Sequence, residues 1–250
     1  MSRSLLKLAC IALFIAIASV QFSCKKYVRN GNLQGGIVLT FDDNYIDDWY
    51  KYLPILDSFG AKATFYVSHY PMLTQQQKTK LKIIQQHGHE IGFHTTRHAN
   101  LVYMLKTKTL QEVMQKEVRE GLDSMRKDGI FPKNFAYPFG QHNEVLDAAM
   151  LSLFRSIRLL NGTNDYSKSV CRDKGKTCFR SLNIDESGLS KDNITRMLES
   201  AKDHSNAVVF LAHKINSSPN LCISENRLIY LLATAKQLGL RFYKVEELSR

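Results

Sequence analysis

Internal repeats, low-complexity segments and recognised nucleic-acid-binding motifs are all absent from this sequence of 250 residues. Their absence argues against a repeat protein, a low-complexity chain and a dedicated nucleic-acid-binding module. Cysteine is scarce, with five residues, and none lies in the histidine-bearing segment around position 94. This distribution argues against a structural zinc site, which usually fills its four ligand positions and most often uses cysteines.

Long hydrophobic runs are also missing, except for Leu8–Val20. This run is short for a membrane-spanning helix and fits a secretory signal. Cys24 follows it in a pattern similar to the lipobox of bacterial lipoproteins, although Gln21 stands where an aliphatic residue is usual. We expect residues 1–23 to be a lipoprotein signal peptide and Cys24 to carry a membrane lipid anchor, so that the protein is exported to the cell envelope, in the periplasm or at the cell surface. An uncleaved N-terminal anchor is the alternative.

Acidic residues are outnumbered by basic ones, and the net charge is +11, of which Arg3 and Lys7 in the predicted signal contribute two. Such an excess favours polyanionic surroundings, such as anionic lipid headgroups or acidic wall polymers. Nucleic acid is the rival partner, but export and the missing motifs argue against it. We therefore predict no nucleic-acid partner, and no feature of the sequence predicts a protein partner.

Three cysteines remain in the mature chain, at positions 171, 178 and 222. An exported compartment permits disulfides, and the polar, glycine-containing segment between Cys171 and Cys178 favours a local loop disulfide. Cys222 either competes for one of these partners or stays a buried thiol. A metal role is less favoured, because no histidine or second cysteine lies at ligand spacing nearby.

The rest of the chain alternates short apolar strands with longer helical stretches. We expect residues 24–35 to form a polar tether and residues 36–250 to form one domain. The alternation predicts an α/β fold with a largely parallel sheet or barrel. The predicted strands are Ile37–Phe41, Ala63–Val67, Ile91–Phe93, Asn134–Tyr137, Ser156–Leu160, Phe179–Leu182, Ala207–Ala212 and Arg241–Val245, and the predicted helices are Asp47–Phe59, Thr74–His87, Thr109–Lys127, Lys191–Asp203 and Ser224–Leu238.

Polar residues follow the carboxyl ends of several predicted strands. Asp42 and Asp43 follow the first strand, His94 the third and His213 the seventh, and the turn at residues 137–140 follows the fourth. Barrels and open α/β sheets build their active sites at these ends. Histidines scattered for structural reasons would not obey this rule, so the pattern predicts an active site.

One carboxylate and two imidazoles of this set are suited to bind a metal. His94 and His98 are separated by three residues, so that a tight turn can aim both at one ion, and Asp43 ends the first strand. Three protein ligands and an open position are typical of a catalytic zinc site. We therefore predict one divalent metal, with Zn²⁺ as the expected ion. Thr95 is expected either to orient a ligand or substrate group or only to cap the turn.

Two further residues complete a hydrolytic set. Asp42 lies beside the predicted ligands and can take a proton from a water activated by the metal; its alternative role is a turn or helix N-cap residue. His213 can protonate a leaving nitrogen, which an amine requires before it departs. Its alternative role is that of an ordinary strand-end histidine.

These segments together resemble the polysaccharide deacetylases of the NodB homology group, carbohydrate esterase family 4. The resemblance spans nearly the whole predicted domain, and its blocks follow the order of the family. The blocks are Leu39-Thr-Phe-Asp-Asp43, Ala63-Thr-Phe-Tyr-Val67, Gly88-His-Glu-Ile-Gly92, His94-Thr-Thr-Arg-His98, Phe135-Ala-Tyr-Pro-Phe-Gly140 and Leu211-Ala-His213.

The resemblance implies a distorted (β/α) barrel and a metal-dependent hydrolase that removes acetyl groups from N-acetylated amino sugars of a polysaccharide. It implies Asp43, His94 and His98 as metal ligands, Asp42 as general base and His213 as general acid. The other residues that it implies are Phe139 through its backbone N–H at the oxyanion, Leu211 at the acetyl methyl group, and Thr95, Tyr137 and Pro138 as further substrate contacts.

The sequence departs from the family pattern at several points. Asn44 replaces the usual Gly of the first motif. The Arg of the third motif, which normally pairs with the base, is replaced by Ala136, and Arg180 near a later strand end is the predicted substitute. The Asp-and-Trp fourth motif is not evident, and Asp185 is the candidate partner of His213.

Two alternative functions are compatible with these residues. The same site can cleave an ester, which would make the protein an O-acetyl glycan esterase. A non-catalytic glycan-binding relative would keep the fold, but loss of Asp42 or His213 would have favoured it, and both are present.

Overall fold

The computed structural model of the protein describes residues 33–163, 165–171, 174–216 and 220–249. The predicted signal peptide, Cys24 and most of the tether lie outside the described residues. Within these ranges, no helix combines the length and apolar character needed to cross a membrane.

Parallel strands form the centre of the structure. The strands are β1 Gly36–Asp43, β2 Ala63–Val67, β3 Glu90–Phe93, β4 Asn134–Ala136, β5 Ser156–Leu160, β6 Val170–Cys171, β7 Cys178–Asn183, β8 Ala207–Ala212, β9 Lys214–Ile215, β10 Cys222–Ile223 and β11 Arg241–Tyr243. Seven of them pair in the order β1-β2-β3-β4-β5-β7-β8, and β8 pairs again with β1. The predicted α/β barrel of a single domain is therefore confirmed.

Helices surround the barrel, and most follow a strand in the chain. They are α1 Ile46–Lys51, α2 Leu53–Ser58, α3 Gln75–Gln86, α4 Leu101–Met104, α5 Leu110–Met114, α6 Glu120–Lys127, α7 Glu144–Leu151, α8 Lys191–Asp203, α9 Glu225–Gln237 and α10 Val245–Leu248, with a π turn at Gln115–Arg119 between α5 and α6.

Several boundaries differ from the sequence-based expectation, and two of them have clear local causes. The helix predicted over residues 47–59 breaks at Tyr52, because Pro54 lies in the first turn of a new helix, where its fixed φ and missing N–H are tolerated. The last strand ends at Tyr243 rather than Val245, because Val245 begins α10. Other boundaries follow local signals, as at Thr74, which caps α3 in a capping box.

The strands are buried on both faces, as expected of a barrel covered by helices. One core lies between the barrel and the helices and includes Trp49, which is fully buried against Phe65. The second lies inside the barrel and includes Val38, Tyr66 and Val209. Together they hold the carboxyl ends of the strands in fixed positions.

A buried polar network closes the opposite end of the barrel. Glu90 at the start of β3 accepts hydrogen bonds from Thr64 Oγ1 (2.8 Å) and from the backbone N–H of Glu246 (2.9 Å). Thr64 Oγ1 accepts from the Val245 N–H at 3.0 Å. Burial raises the pKa of Glu90, although these hydrogen bonds oppose it. The network joins the N-terminus of α10 to the barrel.

The cysteines differ from the expected loop disulfide. Cys178 is exposed and has a free thiol, so the predicted Cys171–Cys178 bond is not formed in the structure. Cys222 is buried and its Sγ donates to the backbone oxygen of Asn216 at 3.3 Å. This placement agrees with the buried alternative for Cys222.

Candidate active site

Two adjacent carboxylates reach the same cavity at the carboxyl end of β1. Successive side chains of a regular strand point to opposite faces, but Asp43 has a φ of +86°. Asp43 Oδ1 and Asp42 Oδ2 lie 3.6 and 3.7 Å from the same atom, Nε2 of His94. The two carboxylates therefore flank one imidazole. The first turn of α1 has no side-chain cap, so Asp42 has no N-capping role.

Asp43, His94 and His98 form a cluster in which one ligand atom from each lies within 4.8 Å of the others. Asp43 Oδ1 is 3.1 Å from His98 Nε2 and 3.6 Å from His94 Nε2. Zinc bonds of about 2.0–2.2 Å at tetrahedral angles place neighbouring ligand atoms about 3.3–3.6 Å apart. The two distances from Asp43 lie in or near this range, so these three residues are spaced to hold one metal ion.

The protonation of this cluster also suits a metal. His94 Nδ1 lies 2.8 Å from the backbone oxygen of Ala136, so we assign the proton to Nδ1, which leaves a lone pair on Nε2. Burial opposes ionisation of Asp43, but the adjacent imidazoles of His94 and His98 outweigh it and hold the pKa of Asp43 well below its usual range. Metal ligands must be deprotonated, and this carboxyl meets that condition.

The loop that carries the two histidine ligands has an unusual backbone. Thr95 and His98 have φ values of +65° and +55°, in the left-handed region that non-glycine residues adopt at a cost of about 1–3 kcal/mol each. Thr95 is fully buried, and its Oγ1 accepts from the Ala99 N–H at 3.3 Å. This bond matches the turn-capping alternative for Thr95.

Arg158 is the charged partner of Asp42. It lies on β5 with no exposed surface, and its Nη2 donates to Asp42 Oδ2. The strand register explains the contact, because Arg158 pairs directly with Ala136 on the neighbouring strand. The arginine missing from the third motif is thus supplied from the next strand, beside the alanine that replaces it.

The assignment of Arg180 to this role is therefore corrected. Its Nη1 donates to the backbone oxygen of Leu160 at 3.4 Å. Ser181 and Asn183 of β7 line the cavity. Because side chains alternate between the two faces of a strand, Arg180 lies on the face that points away from the cavity. A sequence signal for Arg158 did exist, since it is the one charged residue in the apolar strand Ser156–Leu160.

His213 and Asp185 form a second pair at the rim of the cavity. His213 Nδ1 lies 2.5 Å from Asp185 Oδ2, and its backbone N–H donates to Asp185 Oδ1 at 3.1 Å. Burial opposes protonation, but the hydrogen bond to Asp185 and the charge of Asp42 raise the pKa of His213 above its usual value. Trp49 Nε1 donates to the backbone oxygen of His213 at 2.8 Å. The structure thus places Asp185 where the sequence suggested.

The cavity has a volume of about 380 Å³, and its wall is largely apolar outside the titratable groups. Phe139 has a φ of +59°, and its ring is 56% exposed and packs edge-on against His98 with centroids 4.8 Å apart. Among the predicted residues, Asp42, Asp43, His94, His98, Tyr137, Phe139, Leu211 and His213 line this cavity, as do Arg158, Asn183 and Leu221, which the sequence reasoning did not assign.

Comparison with known proteins agrees with this geometry. Residues 30–153 match the family model for polysaccharide deacetylase. This part of the chain is similar to a polysaccharide deacetylase domain. The curated protein YxkH of Bacillus subtilis (strain 168), a putative polysaccharide deacetylase, is 27% identical over 176 residues, which are 66% of this chain and 57% of that protein. The chain therefore spans less than two thirds of the length of this relative.

Solved structures of deacetylases share the barrel. A putative polysaccharide deacetylase from Mycobacterium smegmatis has a TM-score of 0.59 at 15% identity, with 88% of this chain and 90% of that chain covered. The peptidoglycan deacetylase PdaC from Bacillus subtilis has a TM-score of 0.54 at 18% identity, with 86% and 90% covered. At these identities the likeness concerns the fold alone.

Proposed function

We propose that the protein is a metal-dependent hydrolase that removes acetyl groups from N-acetylated amino sugars of a cell-envelope or extracellular polysaccharide. The observation that carries this proposal is the convergence of three groups in one open cavity. They are the ligand cluster around Asp43, the Asp42–Arg158 pair and the His213–Asp185 pair.

Asp43, His94 and His98 would hold one divalent ion, for which Zn²⁺ suits the set of one carboxylate and two imidazoles. When bound there, such an ion supplies Lewis-acid polarisation of the acetyl carbonyl and lowers the pKa of water. The ligand loop and β1 bring these residues to the floor of the cavity, beside the base.

Asp42 acts as the general base. Arg158 engages its Oδ2, whereas Oδ1 has no hydrogen-bond partner among the described residues although it is buried. That oxygen is positioned to accept the proton of a water that attacks the carbonyl carbon. The backbone N–H of Phe139 stabilises the oxyanion that forms.

His213 acts as the general acid. Asp185 engages its Nδ1, which leaves Nε2 to donate a proton to the nitrogen of the tetrahedral intermediate. Burial opposes protonation of His213, but the hydrogen bond to Asp185 outweighs it and raises the pKa, which favours the protonated ring that an acid requires. The carbon–nitrogen bond then breaks, and the products are acetate and a free amino sugar.

The sugar would lie along the apolar wall of the cavity. The exposed Phe139 offers a stacking surface, Leu211 would contact the acetyl methyl group, and Tyr137 would complete the wall. Pro138, which the resemblance implied as a substrate contact, is buried and is not among the residues that line the cavity. The net charge of +11 suits a substrate within an anionic wall polymer. We further propose that the protein is exported and held at the membrane by a lipid on Cys24.

Acetate release from N-acetylglucosamine oligomers, peptidoglycan fragments and O-acetylated glycans tests this proposal. Each substrate is offered to zinc-loaded protein and to protein treated with a chelator. We expect release from the N-acetylated substrates that is lost on chelation and restored by Zn²⁺. Release from only the O-acetylated glycans would show that the protein is an esterase rather than an amidase. The absence of release from every substrate would favour a glycan-binding protein.

A further inference from the structure

Thr96 lies between the two histidine ligands and forms hydrogen bonds with two backbone groups of the helix that packs beside the loop. In a regular α-helix the N–H of residue 121 donates to the oxygen of residue 117. Here the Gly121 N–H donates to Thr96 Oγ1 at 3.1 Å, and the Glu117 oxygen accepts from the Thr96 N–H at 2.8 Å. Thr96 therefore binds both the N–H and the carbonyl oxygen that would pair with each other in a regular α-helix.

The helix is adapted to this insertion. A π turn spans Gln115–Arg119 and ends two residues before Gly121, and such turns often occur at functional sites. A Cβ added to Gly121 would lie 2.7 Å from Thr96 Oγ1 and 2.8 Å from Cε2 of Phe93. Only glycine therefore lets the helix approach the loop this closely.

The side chain of Glu117 adds a second connection. It is 3% exposed, and its Oε2 accepts from the Arg97 N–H at 3.0 Å. The guanidinium of Arg97 donates to the Lys116 oxygen and to Glu120 Oε2, both at 2.7 Å. Two successive residues of the loop are thus bound through their backbone N–H groups to one helical turn.

These hydrogen bonds can stabilise the strained backbone of the loop. Thr95 and His98 hold left-handed backbone angles, and strain of this kind persists only where the surroundings enforce it. The bonds to Thr96 and Arg97 lie between the two strained residues. The segment they fix carries two of the three ligands of the proposed metal centre.

We infer that Thr96, Glu117 and Gly121 form a loop latch that positions His94 and His98 for metal binding. The inference rests on the proposed metal centre, because without an ion the latch would only stabilise the fold. Residues that orient metal ligands typically change metal affinity about 10–100-fold when they are altered. Altering the latch should therefore weaken metal binding more, in free energy, than it lowers the stability of the metal-free fold.

The matched pair Thr96→Val and Thr64→Val separates the two effects. Each removes a buried hydroxyl that accepts a backbone N–H, from Gly121 in the loop latch and from Val245 at the far end of the barrel. The dissociation constant for Zn²⁺ is measured by competition with a chromophoric chelator, and the melting temperature is measured on metal-free protein. We expect Thr96→Val to raise the dissociation constant at least tenfold and Thr64→Val to leave it within twofold.

Two further variants test the inference even if Thr96→Val does not fold. Thr96→Ser keeps the hydroxyl and is expected to bind zinc as the unaltered protein does, whereas Gly121→Ala pushes the loop away and is expected to weaken binding as Thr96→Val does. An unchanged zinc affinity in Thr96→Val or, if that variant does not fold, in Gly121→Ala would overturn the inference.

Hydrogen exchange on metal-free protein separates this inference from the proposed function. We expect faster exchange of the amides of residues 94–98 in Thr96→Val than in Thr64→Val, whether or not zinc binds. Equal exchange in the two variants would refute the loop latch itself. If the unaltered protein bound no zinc while the exchange rates differed, the metal centre would be refuted and the latch would remain a structural device.

Discussion

Arg158→Met is the change that most sharply tests the pairing inside the barrel. Arg158 has no exposed surface and Asp42 is 3% exposed, so that the two charges compensate each other away from water. Removing one partner of a buried ion pair typically costs about 3–5 kcal/mol, because the remaining charge stays buried without compensation. We expect this loss for Arg158→Met in urea unfolding of the metal-free protein.

The double variant Asp42→Asn/Arg158→Met measures the interaction energy between the two side chains. It removes both charges, so its loss of stability should fall short of the sum of the two single losses by about 2 kcal/mol or more. Arg180→Met is the control, since Arg180 is the arginine that the sequence suggested. Its hydrogen bond to the Leu160 oxygen predicts a loss of about 0.5–1.5 kcal/mol. Additive effects of Asp42→Asn and Arg158→Met, or a larger loss in Arg180→Met, would refute the pairing.

Three further predictions address the acid, the pH range of stability and the substrate wall. Asp185→Asn removes the bond that raises the pKa of His213, so the rate of acetate release should begin to fall at a lower pH; an unmoved pH–rate profile would contradict the proposed acid. Burial lowers the pKa of His89 from 6.5 to about 4, so its contribution to stability is present above about pH 6.5 and is lost as the pH falls towards 4, by about 3 kcal/mol. Urea unfolding at pH 7 and pH 4 should show that loss to be smaller in His89→Gln, whose side chain can still accept the Ala63 N–H; equal losses would show that His89 is not responsible. Phe139→Ala should raise KM for an oligosaccharide about fivefold with little change in kcat, because it removes a stacking surface worth about 1 kcal/mol; a loss confined to kcat would show a different role.

The alternation of strands and helices is a local signal, and it predicted a parallel α/β sheet or barrel, whereas the resemblance to a known family implied the barrel. Strands β5 and β8 have the predicted bounds, since each is a short apolar run that packs on both faces. The strand-end positions of Asp42, His94 and His213 followed from the same alternation, because parallel strands end at one edge. The fold class and the clustering of these strand-end residues could therefore be predicted from the sequence.

Contacts between distant segments could not be predicted in the same way. Arg158 reaches Asp42 across 116 residues, and only the register between β4 and β5 shows that it lies beside Ala136. The contact between Thr96 and Gly121 depends likewise on how a π turn packs against a loop. Neither arrangement has a periodic pattern in the sequence, because both depend on tertiary packing rather than on local propensity.

Acetate release by zinc-loaded Asp42→Asn, beside the unaltered protein, tests the central claim most directly. Asn keeps the size of the side chain but cannot accept the proton of the attacking water, and general base catalysis contributes about 10²–10⁴-fold. With zinc content measured in both proteins, we predict that the unaltered protein releases acetate from N-acetylglucosamine oligomers and that Asp42→Asn releases it at least 100-fold more slowly. Equal rates at equal zinc content would contradict the account of this site.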